Sequence, residues 1–168
     1  GGVPITAQTL EPAEIATVLT TANEAEVDMA QLALTAATDE EVRQFAQELL
    51  ERHAEFDQMV RVVTDELVDD PLLVDSAREL QQQAQERLRR LAEAEDFDRA
   101  FLDSCIRSHE QQLEILKTEL LPSAEAPAMQ ELLEQMQARL EKHLERAQGL
   151  RRRLDEEESD AAAARLRQ

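Results

Sequence analysis

The sequence predicts an all-α fold, an antiparallel four-helix bundle with one additional short connecting helix. Three observations carry that prediction. Ala, Leu, Glu, Gln and Arg dominate a chain of 168 residues that holds 3 Gly, 5 Pro, 4 Phe and neither Trp nor Tyr, a composition that favours helices over sheets. Apolar residues recur at intervals of three and four along most of the chain. Proline and acidic turn signals cut the periodic stretches into helix-sized pieces. The length suits one domain with a sizeable core and is too short for two of ordinary size.

The first helix is expected from about Leu10 to Ala37, on the stripe Ile15, Val18, Leu19, Ala22, Met29, Ala33 and Ala36, with Pro12 in its first turn. Thr38 opens Thr-Asp-Glu-Glu, a capping box with Glu41 at the third helical position. The second helix follows on Val42, Phe45, Leu49, Phe56, Val60, Val63 and Leu67, and Asp69-Asp70-Pro71 is expected to break it, because proline disfavours helical geometry in the residue before it. A third, shorter helix, about Asp75 to Ala94, has few apolar residues beyond Leu80, Leu88 and Leu91, so it should lie over the bundle as a connection.

The fourth helix starts at Asp96, carries Phe97, Phe101, Leu102, Ile106, Leu113, Leu116 and Leu120, and stops at Leu121-Pro122-Ser123. The fifth runs from about Pro127 and displays Met129, Leu132, Leu133, Met136, Leu140, Ala147, Leu150 and Leu154. Residues 10–154 thus form the bundle. The segment 1–9 is expected to be flexible, and the acidic, then Ala-rich tail 155–168 to fray or be disordered. Four helices, each about 40 Å long, with short links inside the first and last pairs and a helical connection between pairs, follow the ferritin-like plan. The short link at Thr38 places Glu24 and Glu26 near the level of Glu51 and Leu49, with His53 within about one turn of Glu26.

Lys and Arg number 18 against 37 Asp and Glu, a formal charge of -19. That field repels phosphate backbones and anionic headgroups, so nucleic acid is not an expected partner, and no apolar run approaches the length that membrane insertion needs. The single Cys105 cannot form an intrachain disulfide and sits where core packing is its expected role. Met29, Met59, Met129 and Met136 lie on or beside apolar faces, and core filling is the stronger account of them than copper binding. The start Gly1-Gly2-Val3-Pro4 lacks an initiator Met and reads as the end left by leader removal or by engineering.

The chain has three histidines, and each stands inside an apolar series: His53 between Leu49 and Phe56, His109 between Ile106 and Leu113, His143 between Leu140 and Ala147. With inward stripes covering about 100° of each helix, chance places all three inward only about 3% of the time. Glu26 occupies a matching place on the first helix, between Ala22 and Met29. Buried imidazoles must find partners, and two arrangements supply them. One is a transition-metal ion (Zn, Fe, Cu or Mn) held by Glu26, His53, His109 and His143. The other is a hydrogen-bonded network of these groups with Ser108 and Gln112, in a protein whose acidic exterior binds a partner. Glu55, Asp57 and Glu110 lie beside the histidines as candidate acceptors that orient an imidazole.

Catalysis has less support. Di-iron bundles use Glu-x-x-His motifs, and here Leu50, Ile106 and Leu140 stand three residues before the histidines, which disfavours ferroxidase or oxygenase chemistry of that type. Gly-rich phosphate loops, nucleophile elbows and Cys-x-x-Cys pairs are missing from the sequence. Cys105, one turn before His109, offers a thiolate–imidazole pair only if the thiol is reactive, which buried core cysteines are not.

Two blocks of sequence resemble the bacterial domain of unknown function 4142 family. One is Ala22-Asn23-Glu24-Ala25-Glu26-Val27, continuing through Leu32-Ala33-Leu34 and Val42-Arg43-Gln44-Phe45-Ala46-Gln47 to His53; the other is Phe97-Asp98-Arg99-Ala100-Phe101-Leu102, then His109 and His143-Leu144-Glu145-Arg146-Ala147-Gln148. The resemblance extends over residues 10–153 and implies a ferritin-like bundle and an exported protein, extracytoplasmic after leader removal, but no particular reaction. Glu26 and the three histidines match the family pattern, whereas Arg52 stands where that pattern often has an acid.

Overall fold

The structure, a computed structural model, describes residues 9–168; the flexible segment expected before Leu10 lies, apart from Thr9, outside the described residues. It is an all-α bundle: α1 Pro12–Ala36, α2 Glu40–Val63, α3 Asp75–Glu93, α4 Phe97–Ile115 and α5 Pro127–Leu166. A 3₁₀ turn, Pro71–Leu73, precedes α3. Beyond Ile115, α4 widens into a π-helical turn, Leu116–Leu120, and ends in a last turn, Leu121–Ser123. Pro122 has no amide hydrogen and its ring crowds the preceding turn, and a π-turn is how a helix absorbs such a defect.

Side-chain ties fix the register of the bundle. Asn23 of α1 meets His53 and Asp57 of α2, and Thr38, after α1, meets Asp98 of α4. Arg139 and Arg153 of α5 reach Glu55 and Asp39 at opposite ends of α2. Arg151 of α5 meets Asp103 of α4. α1, α2, α5 and α4 therefore form a closed square in which each helix runs antiparallel to its neighbours. The third helix lies outside, against α1 and α4, tied through Ser76–Glu119 and Arg87–Gln111, which is the connecting role the sequence predicts.

Three helix ends differ from expectation. The cap of α2 is Asp39, which accepts from the amide of Val42; the Thr38 hydroxyl and amide, with the amide of Asp39, donate instead to the buried carboxylate of Asp98. The second helix stops at Val63, well before the Asp69-Asp70-Pro71 break. It ends where α1 begins at Pro12 and the partner surface runs out, leaving Val62 and Leu67 exposed. The tail expected to fray continues α5 to Leu166, although its side chains are largely exposed. An Arg153–Glu157 pair and a run of alanines maintain that helix by local propensity, and an Arg99–Glu158 pair ties it to α4.

Among the described residues the interior consists of two apolar clusters. One surrounds Ile15, Leu19, Phe56, Leu116 and Leu133, and the other surrounds Met29, Phe45, Leu49, Phe101 and Leu102. In the second, Phe45 and Phe101 pack with ring centroids 6.4 Å apart, within the range in which aromatic pairs add to simple burial. A layer of polar side chains separates the clusters.

Candidate metal centre

The polar layer is built from three helices. Glu26 projects from α1, His109 from α4 and His143 from α5, and one ligand atom from each lies within 4.8 Å of the others. His109 is fully buried, His143 is 5% exposed, and the Glu26 side chain is 15% exposed. The two imidazoles meet edge to face with centroids 5.9 Å apart. Phe45 also packs against His143, with ring centroids 6.3 Å apart and the planes near perpendicular.

The hydrogen bond at the far side of His109 decides its chemistry. Nδ1 lies 2.6 Å from the carbonyl oxygen of Cys105, and a carbonyl only accepts, so Nδ1 carries the hydrogen. In the neutral ring Nε2 is then a bare lone pair. It stands 2.8 Å from Oε1 of Glu26, and neither buried atom makes a directional hydrogen bond. Two acceptors cannot face each other in a dry interior without a cation between them, since an uncompensated buried polar group costs about 1–3 kcal/mol and a charged one more. That cation is a proton, making His109 an imidazolium, or a metal ion.

Electrostatics follow from this geometry. Burial is the largest influence on Glu26 and would raise its pKa, but His109, with smaller help from His143 and Arg139, outweighs it and holds the carboxyl below its ordinary range. Burial likewise works against the His109 imidazolium, yet the charge and proximity of Glu26 and the Cys105 carbonyl leave its pKa raised. For His143 burial prevails, aided by positive His109 and opposed by Glu26, and the ring is held neutral. The Cys105 thiol is fully buried and its pKa is pushed well up by burial and by Glu26, so Cys105 serves this site through its backbone carbonyl.

His53 is not among the converging groups. Its Nδ1 is 2.6 Å from the amide nitrogen of Asn23, which also donates to Asp57 at 3.0 Å, and its Nε2 is 3.6 Å from the other Asp57 oxygen. The ring is about one-third exposed. The antiparallel register sets His53 level with Asn23, three residues along α1 from Glu26, and at the level of the site α2 presents buried Leu49 and Phe45. Of the expected network partners, Gln112 donates to Ser108 at 3.1 Å and not to a histidine. Asp57, a candidate orienting acid, accepts from the Asn23 amide and stands beyond hydrogen-bond distance of the His53 ring.

An open groove of about 670 Å³ runs along α5 beside α2 and reaches the centre at His143, with Glu48, Lys142, Arg146 and Gly149 on its walls. Arg139, one turn before His143, has a buried Nη1 without a partner and is the positive group that sequence periodicity missed. No helix among the described residues is long and apolar enough to cross a membrane.

A family model described as Domain of unknown function (DUF4142) matches residues 4–150, a span that includes Glu26 and all three histidines. No curated protein and no solved structure matches the chain.

Proposed function

The chain belongs to the DUF4142 family, whose description names no reaction, and on this geometry we propose that it binds one transition-metal ion through Glu26, His109 and His143. The observation that carries the reading is the pair of buried acceptors, His109 Nε2 and Glu26 Oε1, 2.8 Å apart without a directional hydrogen bond, with His143 beside them. The Nδ1–carbonyl contact of His109 is the outer interaction that metal-bound imidazoles use to fix their tautomer. Ligand atoms on one zinc or iron ion at about 2.0–2.2 Å stand roughly 3–4 Å apart, so small side-chain shifts suffice. Two neutral imidazoles and a carboxylate suit Zn, Fe or Mn better than copper, which prefers softer or more tetragonal donor sets. Sequestration, sensing and structural support are the roles such a site serves, in an extracytoplasmic protein as the family resemblance implies; cell fractionation tests that location.

Protein purified without affinity-tag metals should contain one equivalent of metal or take it up, and a concentration of about 100 Kd should stabilise the fold by about 2.7 kcal/mol. Glu26→Gln, His109→Gln and His143→Gln should each abolish that gain, whereas His53→Gln should keep it. A gain shared equally by all four variants sinks the assignment. The second reading, a metal-free interaction protein, draws support from the His53–Asn23–Asp57 cluster and from a proton's ability to join Glu26 to His109. It wins if Zn, Fe, Mn and Cu all leave the melting temperature unchanged.

A further inference from the structure

The groove beside His143 has features that passive surface folding does not require. Its axis is a stripe on α5, Lys142, Arg146, Gly149 and Arg152, facing Glu48 of α2. Gly149 sits in the interior of a 40-residue helix, where only Pro is less favourable. A Cβ there would meet nothing nearer than an Arg152 guanidinium nitrogen at 3.9 Å, so the missing side chain is missing from the groove. The groove also gathers cations on its walls, Lys142, Arg146, Arg152 and Arg153. Arg153 is shared by Asp39, Glu41 and Glu157 at 2.6, 3.2 and 2.8 Å. Lys142, Arg146 and Arg152 share the groove with Glu41, Glu48 and Glu145, but among the described residues these three cations have no carboxylate within ion-pair distance. A chain of formal charge -19 thus places three cations without ion-pair partners along the groove that reaches its buried His/Glu cluster.

The donor set points the same way. Structural zinc sites complete four protein ligands, whereas three protein ligands of the type two His and one carboxylate leave a position for an exogenous ligand. Among the described residues the converging group contains three such side chains. His109 is sealed from solvent and His143 is the member that touches the groove, so a vacant position can communicate with solvent on the His143 side.

Resting on the metal reading above, we propose that the Glu26–His109–His143 centre keeps an open coordination position on the groove side, and that the groove admits a small anion of the carboxylate or phosphate class to it. Lys142 and Arg146 attract and hold the anion's distal oxygens, and Gly149 leaves the passage clear. The anion binds as a metal ligand without any bond being broken in it.

Cobalt(II), whose visible absorption reports coordination number, tests the proposal with azide as the probe anion. The cobalt-loaded protein should change its spectrum on azide titration in the millimolar range, and acetate or inorganic phosphate should displace the azide. Lys142→Glu/Arg146→Glu should weaken azide binding by about tenfold or more, on the scale of one good charged contact, with cobalt stoichiometry checked in the same samples. Gly149→Leu should weaken it through obstruction, so the two variants test charge and passage separately. A cobalt spectrum indifferent to azide overturns the open position while leaving metal binding intact. Equal azide affinity in all three proteins overturns the groove, failure of both acetate and phosphate to displace azide overturns the ligand class, and absence of cobalt binding overturns the metal reading itself.

Discussion

His53 and His143 look alike in sequence, each replacing an apolar residue in a helical stripe, yet the fold gives them different chemistry. Stripe membership says that a side chain faces its neighbours; it does not say which neighbour stands level with it. His143 meets Glu26 and His109, while His53 meets Asn23 and Asp57, because the α1–α2 register offsets it by about one turn from Glu26. Glu26, His109 and His143 were therefore legible as a converging group, and His53, already expected within about one turn of Glu26, was misassigned because that single turn is enough to exclude it. The metal-free centre should also show a distinct pH dependence. His109 has a raised pKa, so its stabilising contribution is complete below its ordinary value of 6.5 and is lost as pH rises through the folded value. Glu26 has a lowered pKa, and its contribution is present above 4.5 and lost as pH falls through the folded value. His143 is held neutral and acts oppositely to His109, its contribution fading as pH falls through 6.5. In His143→Gln with chelator, urea midpoints should therefore decline as pH rises above 6.5. A flat or rising profile there would contradict a protonated His109–Glu26 pair.

At the scale of elements, the helices and most of their punctuation follow from local chemistry, and the exceptions arise where a distant partner decides. Asp96 and Pro122 mark the two ends of α4 as the sequence predicts, since N-capping and the missing proline amide act within one turn. The end of α2 depends on where α1 starts, a fact outside its own sequence. Thr38 was read as a cap because Thr-x-x-Glu is a local signature, but Asp98, 60 residues away, offers a carboxylate to Thr38 and Asp39 at 2.8–3.0 Å. Asp98 is only 7% exposed, so it couples the first turn of α4 to the α1–α2 link and thereby holds Glu26 and His109 in register. Asp98→Ala should cost about 2–3 kcal/mol, the loss of charge-assisted hydrogen bonds to three donors partly offset by water. The urea midpoint measures that loss. Its metal affinity should also fall while its helical content is retained, and an unchanged midpoint would show that the α1–α2 link holds itself.

Across the whole molecule, a buried centre of three ionisable groups sits inside a chain carrying 37 acidic and 18 basic side chains. These two features respond to cations differently. The surface excess repels itself, and mobile salt screens it over a Debye length of about 10 Å at 0.1 M. The centre lies between two apolar clusters and is screened little. Raising sodium chloride from low to physiological concentration should therefore increase the melting temperature of the metal-free protein by about 2–4 °C, the shift that about 1 kcal/mol produces in a chain of this size. That increment should be the same in His109→Gln, because it does not arise at the site. Micromolar zinc should add a second increment at every salt concentration, absent from His109→Gln and not reproduced by calcium, a hard cation that takes oxygen donors in preference to imidazole. If calcium and zinc raise the melting temperature alike, and physiological salt abolishes both effects, the cations are condensing on the acidic exterior. The Glu26–His109 pair would then be closed by a proton alone.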